Sequence, residues 1–201
     1  GPWVYDAASS SWRQNGRQAE IGHKTTSVLS SQVLHVQSAG RVRLSFAHRY
    51  SFEFDGTRWD GGQVRVSRNG GPYTAVPDAA FTQNGYGGQH VAGTSLSDLA
   101  GQEAFTAESP GYGNGYVTSV AELGAFDAGD TLQVQFVAAG DTNTGGQTPN
   151  WQIGSVLVIW MGVTPAVLEA QVRLTASGGV TLPVVYQWER DCGNGFEAIP
   201  G

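Results

Sequence analysis

At 201 residues with a formal net charge of −6, the chain has room for one large domain or one domain and part of another. Its acidity argues against nucleic acid or an anionic membrane as the default partner. The single cysteine, Cys192, excludes an internal disulfide framework, and no apolar run approaches the ~20 residues of a membrane helix. Ten of the eleven cations are arginines, dispersed along the chain and not gathered into a phosphate site. Gly1-Pro2 reads as a protease scar, so a natural leader upstream is expected to have been removed. Glycine at 29 residues, low charge and abundant Ser, Thr, Val and Gln point to an all-β, turn-rich chain. No helical period is sustained; the best stretch, residues 94–104, predicts one or two turns at most.

In chain order, Trp3-Val4-Tyr5 and Ser11-Trp12-Arg13 read as short strands. Residues 25–36 give two extended pieces anchored by Val28, Leu29, Val33, Leu34 and Val36. Residues 44–66 organise the rest. Leu44, Phe46, His48, Tyr50 and Phe52 recur at period two, the mark of a strand with one apolar face. Asp55-Gly56 and Asp60-Gly61-Gly62 supply turn residues, and Val64 and Val66 resume the alternation, which predicts a hairpin. On the apolar face His48 reads as a hydrogen-bonded core residue; on the other face Arg49 and Glu53 read as a ladder pair, with a ligand-contacting pair as the alternative. Arg68-Asn69-Gly70-Gly71-Pro72 predicts a second turn, with residues 73–76 pairing back.

A long glycine-rich tract follows, residues 81–116, with QNGYGG at 83–88 and PGYGNGY at 110–116. Residues 103–107 predict a strand within it. Residues 116–123 and 131–138 are further strands, the latter with Leu132, Val134 and Phe136 on one side. After a polar loop at 141–150, residues 152–161 close the domain. Their run from Val156 to Met161 is apolar on both faces, as a covered central strand requires. About nine or ten strands separated by turns predict a two-sheet antiparallel sandwich, a jelly roll. Beyond Pro165 the pattern changes. Residues 170–176 are strand-like, Gly178-Gly179 turns, VVYQWER at 184–190 carries Trp188 on a strand, and GFEAIPG at 195–201 is a further strand and turn. The domain boundaries read as 1–164 and 165–201.

The ordered motifs LSFAHRYSFE, WDGGQVRVSRNGGPYTAV, FTQNGYGG, LAGQEAFTAESPGY, AGDTLQVQFVAAGD and NWQIGSVLV resemble the MAM-like jelly-roll module of secreted bacterial immune inhibitor A type metallopeptidases and surface proteins. The resemblance covers about residues 25–162. The tail resembles a bacterial immunoglobulin-like repeat over about 166–201, too short for a whole domain of roughly 100 residues. Either that domain continues past residue 201 or the tail packs on the first. Family membership implies a secreted or cell-surface module without catalysis, inside a larger protein. It implies no defined ligand. One departure is Gly154-Ser155, which stand where the family has an acidic pair after the Trp-x-Ile of its last strand.

Two chemistries stand out beside their plainer readings. Glu53, Asp55 and Asp60 cluster around one turn, with Asp141 and Asn143 able to join from another loop, an oxygen set suited to structural calcium. Asp55 and Asp60 equally serve as turn caps. For carbohydrate, Trp59, Tyr86, Tyr112 and Tyr116 offer rings and Asn84 and Asn114 offer amides in the loops. The same tyrosines equally serve to staple long loops to the sandwich. The four histidines lack metal-ligand spacing, and no H-E-x-x-H, G-x-S-x-G or P-loop occurs, so an enzyme is not expected. The expected function is a binding or attachment module for a glycan or an extracellular surface protein. The alternatives are a structural spacer held by protein contacts and an accessory domain of a secreted protease.

Overall fold

The computed structural model describes residues 3–16, 23–143, 145–162, 167–171, 174–176, 188–191 and 196–199. In chain order the strands are β1 (Trp3–Asp6), β2 (Ser11–Gln14), β3 (Thr25–Ser31), β4 (Leu34–His35), β5 (Gly40–Tyr50), β6 (Gly61–Arg68), β7 (Thr74–Ala75), β8 (Phe81–Gln83), β9 (Val117–Phe126), β10 (Thr131–Gly140), β11 (Trp151–Gly162), β12 (Val167–Gln171), β13 (Leu174–Ala176), β14 (Trp188–Asp191) and β15 (Phe196–Ile199). They make two antiparallel sheets. A seven-stranded sheet runs β1-β2-β11-β5-β9-β8, with β12 also on β11; a six-stranded sheet runs β13-β3-β10-β6-β7, with β4 also on β10. Strands β14 and β15 pair with each other. The fold is an all-β sandwich.

Period-two alternation sets the inner faces. On β5, Val42, Leu44, Phe46 and His48 are buried; on β10, Leu132, Val134 and Phe136 face them across the core. Strand β11 buries Trp151 and Ile153, then Val156, Val158 and Trp160, so its inward parity changes once. The pairing of β11 with β5 shifts register between Ile153 and Val156, and this bulge, at Gly154-Ser155, absorbs the change. Leu157, Ile159 and Met161 on the other face are half-buried.

Trp151 sits at the centre. Its ring lies 5.6 Å from Trp3, 5.9 Å from Phe52, 5.9 Å from Phe136 and 6.0 Å from Phe105, mostly edge-on. A Cβ at Gly62 would lie 2.6 Å from that ring, so the close approach of β6 to the core requires glycine there.

Residues 44–66 do not form a hairpin. Strand β5 pairs with β9 and β11 in one sheet, whereas β6 pairs with β10 and β7 in the other. Residues 51–60 therefore cross between sheets. Alternation names the face a strand turns to the core, and strands on opposite sides of one core satisfy it as well as hairpin partners do. The turn at 68–72 does join paired strands, β6 and β7.

The glycine-rich tract is stitched down. The strand expected at 103–107 is reduced to bridges, Gly62 with Phe105 and His90 with Glu103. No helical turn forms at 94–104, where the Ser95 and Ser97 hydroxyls accept from the amides of Ser97 and Leu99 and hold successive bends instead. Val91, Leu99, Ala104 and Ala139 bury a small second cluster beneath this cover.

In the tail, β12 pairs with β11 and β13 pairs with β3, so each sheet gains a strand from residues 167–176. Gly1-Pro2, Pro165, the Gly178-Gly179 turn, the stretch preceding Trp188, and Cys192 lie outside the described residues.

Candidate functional site

Two of the tyrosines expected to stack on a ligand are core residues. Tyr86 is 3% exposed and Tyr112 is 4% exposed. The amides along the edge of β6 explain Tyr86. Gly62 N–H donates to the Phe105 carbonyl at 2.9 Å, and the next one facing the same way, Val64 N–H, donates to the Tyr86 hydroxyl at 3.0 Å. A phenol thus takes the place of a strand carbonyl, and burial holds its pKa far above the usual range. Tyr112, in the short 3-10 turn Tyr112–Asn114, donates its hydroxyl to the Pro149 carbonyl at 2.5 Å. Both rings fasten loops to the sandwich. Tyr86→Phe leaves a buried amide without an acceptor and is expected to cost about 1–3 kcal/mol. Thermal or urea unfolding reads that loss, and an unchanged midpoint would refute the assignment.

The amides and the tryptophan divide similarly. Asn84, at φ +44, donates its side-chain amide to the Thr118 carbonyl at 2.8 Å and accepts the Ser119 hydroxyl at its own carbonyl at 2.5 Å. It pins the loop to β9. Asn114 is exposed. Trp59 is half-buried, and its indole N–H donates to Asp55 at 3.0 Å.

Tyr116 is different, being 42% exposed. It leans over Gly154, where an added Cβ would meet its ring at 3.6 Å, on the outer face of the seven-stranded sheet. Beside it stands Arg49. The guanidinium lies 5.1 Å from the centre of the Tyr112 ring and 5.9 Å from that of Tyr116. Its Nε donates to Gln152 at 2.8 Å and its Nη1 to the Tyr112 carbonyl at 3.3 Å. Arg49 makes no ion pair among the described residues, so the expected pairing with Glu53 does not occur. Register places Arg13 on β2 and Arg49 on β5 either side of Gln152 on β11. Gln152 also donates to Ser9 and Ser11, and Arg13 pairs with Asp6 at 3.0 Å. The result is a row of fixed polar groups flanked by one open aromatic ring. Arg13 and Gln152 carry no motif; their cross-strand neighbourhood is the only signal, and it appears once β2, β11 and β5 are paired.

At the end of the sandwich where residues 51–60 cross, carboxylates converge. Glu53, Asp60 and Asp141 each place an oxygen within 4.8 Å of the others. Asp55, expected with them, lies outside: its carboxylate accepts from the amide of Thr57 and from Trp59 and serves as a turn cap. Asp60 Oδ1 accepts the Asp141 amide at 3.0 Å. Asn143 caps inward, donating its side chain to Glu53 at 3.1 Å, and the Gly145 amide also donates to Glu53, at 3.3 Å. Burial raises the Asp60 pKa to about 7, the Asp141 and Glu53 charges push the same way, and the Asp141 amide opposes them. A cavity of about 10 Å³ adjoins, lined by Asp60, Asn150, Gln14, Thr25, Phe52 and Gly140 among others.

No long apolar helix able to cross a membrane occurs among the described residues. Comparison of the chain with family models, curated proteins and solved structures finds no match.

Proposed function

We propose that this chain is a non-catalytic recognition module of jelly-roll type, working outside the cell as part of a larger secreted or surface protein and taking a carbohydrate on the outer face of its seven-stranded sheet. The observation that carries the reading is Arg49, held between two tyrosines with no carboxylate partner among the described residues, beside the exposed ring of Tyr116. Sugars present C–H faces to aromatic rings and hydroxyls to planar donors. Arg49 and Arg13, set on neighbouring strands either side of the buried Gln152 and next to an open tyrosine, offer both on a rigid support. The order of motifs that resembles a MAM-like module supports the same placement. His48 is removed as a general base, since its two ring nitrogens are both committed inside the core.

A glycan array probed with the whole chain, repeated with Tyr116→Ala and Arg49→Ala, tests the reading. Binding is expected to fall roughly tenfold or more in each variant. A spacer held by protein contacts is the second reading, favoured by the burial of Tyr86 and Tyr112. Absence of binding to any neutral or acidic glycan would select it.

A further inference from the structure

The cluster of Glu53, Asp60 and Asp141 has a feature that turn capping does not require. Asp60 is 1% exposed and Asn150 2% exposed, yet among the described residues Asp60 Oδ2 and Asn150 Oδ1 have no hydrogen-bond partner. Buried polar oxygens are nearly always paired, so two orphans on one small cavity call for a ligand. Asp60 joins this cavity to the carboxylates of Glu53 and Asp141, and among the described residues no arginine or lysine pairs with any of the three, so a positively charged ligand fits the cluster. Oxygens bound to one calcium ion at 2.3–2.6 Å lie at most about 5 Å apart, and the carboxylate oxygens already meet that limit. The backbone is shaped around the same groups. A Cβ at Gly140 would lie 3.2 Å from Asp60 Oδ2, one at Gly145 2.9 Å from Glu53, and one at Gly146 2.3 Å from the Ser51 carbonyl.

We infer that Glu53, Asp60, Asp141 and Asn150 hold one divalent cation of the calcium type, which fastens the 51–60 crossing and the 141–150 loop to this end of the sandwich. The donors are all hard oxygens, which suits calcium or magnesium and not zinc or copper. Four side chains carrying up to seven oxygens around a flexible loop favour the larger ion with the higher coordination number. The Asn150 amide nitrogen keeps its place by donating to the Ser51 and Gly145 carbonyls, at 2.7 and 2.9 Å, which leaves Oδ1 as the free donor atom. The site stands independently of the carbohydrate reading, and neither inference needs the other.

Thermal unfolding of the whole chain, stripped with a chelator and then titrated with calcium chloride alone, tests it. At ten times the dissociation constant the midpoint is expected to rise by about 3–6 °C, with magnesium giving a smaller rise. Terbium added to the stripped protein is expected to show emission sensitised by Trp59 and Trp151, the neighbours in sequence of Asp60 and Asn150. Asp60→Asn and Asp141→Asn are expected to abolish both responses, while Asp55→Asn keeps them. The ion-free Asp60→Asn protein is expected to melt no lower than its ion-free parent, since it removes a buried charge and keeps an acceptor for the Asp141 amide. That combination separates ion binding from simple loss of folding. A midpoint indifferent to calcium, or a calcium shift that survives both variants, would overturn the inference.

Discussion

Replacing Trp151 by alanine is expected to destabilise the protein by about 3–5 kcal/mol, the range for loss of a fully buried tryptophan. For a chain of this length that is a fall in melting temperature of roughly 6–20 °C. The effect falls at the top of the range because three separate things fail together. The ring packs against Trp3, Phe52, Phe105 and Phe136, drawn from both sheets, from the sheet-to-sheet crossing and from the long tract. Its removal opens a void that Gly62, with no side chain, cannot fill. The indole N–H donates to His48 Nδ1 at 3.1 Å, so the same change strips a buried acceptor of its donor. Trp151→Phe loses the donor but keeps part of the ring, and is expected to fall between the parent and Trp151→Ala. Urea unfolding of both variants checks the order; a Trp151→Ala loss below about 1 kcal/mol would contradict a central role.

The layers were legible because alternation is local: Leu44, Phe46 and His48 on β5, and Leu132, Val134 and Phe136 on β10, declared their buried faces directly. What alternation lacks is a partner. Strand β6 pairs with β10, some seventy residues on, and nothing in the run from Gly61 to Arg68 distinguishes that from pairing with β5. The candidate sites divided along the same line. Glu53 and Asp60 are near each other in sequence and also in space, whereas Asp55, between them, turns to Trp59, and the third carboxylate comes from Asp141. Asn150 was invisible because its role depends on an oxygen left over after its nitrogen is bonded. The tyrosines divide by burial. The sequence leaves Tyr86 open to stacking on a ligand or to stapling its loop, and the loop folds tightly enough to bring its hydroxyl to the Val64 amide, which is the stapling role. Tyr116, in the same kind of sequence, stays open because it precedes β9 and lies over Gly154.

Acid is expected to destabilise the protein through His48, by about 1.4 kcal/mol for each pH unit below 6.5. Burial depresses the His48 pKa to about 3, so between its ordinary 6.5 and that value the unfolded chain takes up a proton that the native state refuses. Stability from this group is full above pH 6.5 and falls as pH drops towards 3, about 4–5 kcal/mol in all. The geometry gives a second reason for the refusal. The Trp151 N–H points at Nδ1, so Nε2 carries the proton and donates to Ser119 at 2.7 Å, and Ser119 passes its own to the Asn84 carbonyl. A second proton on Nδ1 would face a donor. Asp60 works in the other direction. Its pKa is raised to about 7 from 3.8, so the native state takes up a proton that the unfolded chain does not, and stability is gained as pH falls through that window. In the ion-free protein the two slopes oppose one another between about pH 6.5 and 3.8 and largely cancel. The histidine slope emerges once Asp60 is taken out of the titration. Urea unfolding of Asp60→Asn in chelator is therefore expected to show the full decline from pH 6.5 downwards. Adding His48→Gln, which offers an oxygen to Trp151 and an amide to Ser119, is expected to remove most of that decline, at the cost of lower stability at neutral pH. An equally steep decline in the double variant would place the acid-sensitive group elsewhere in the fold.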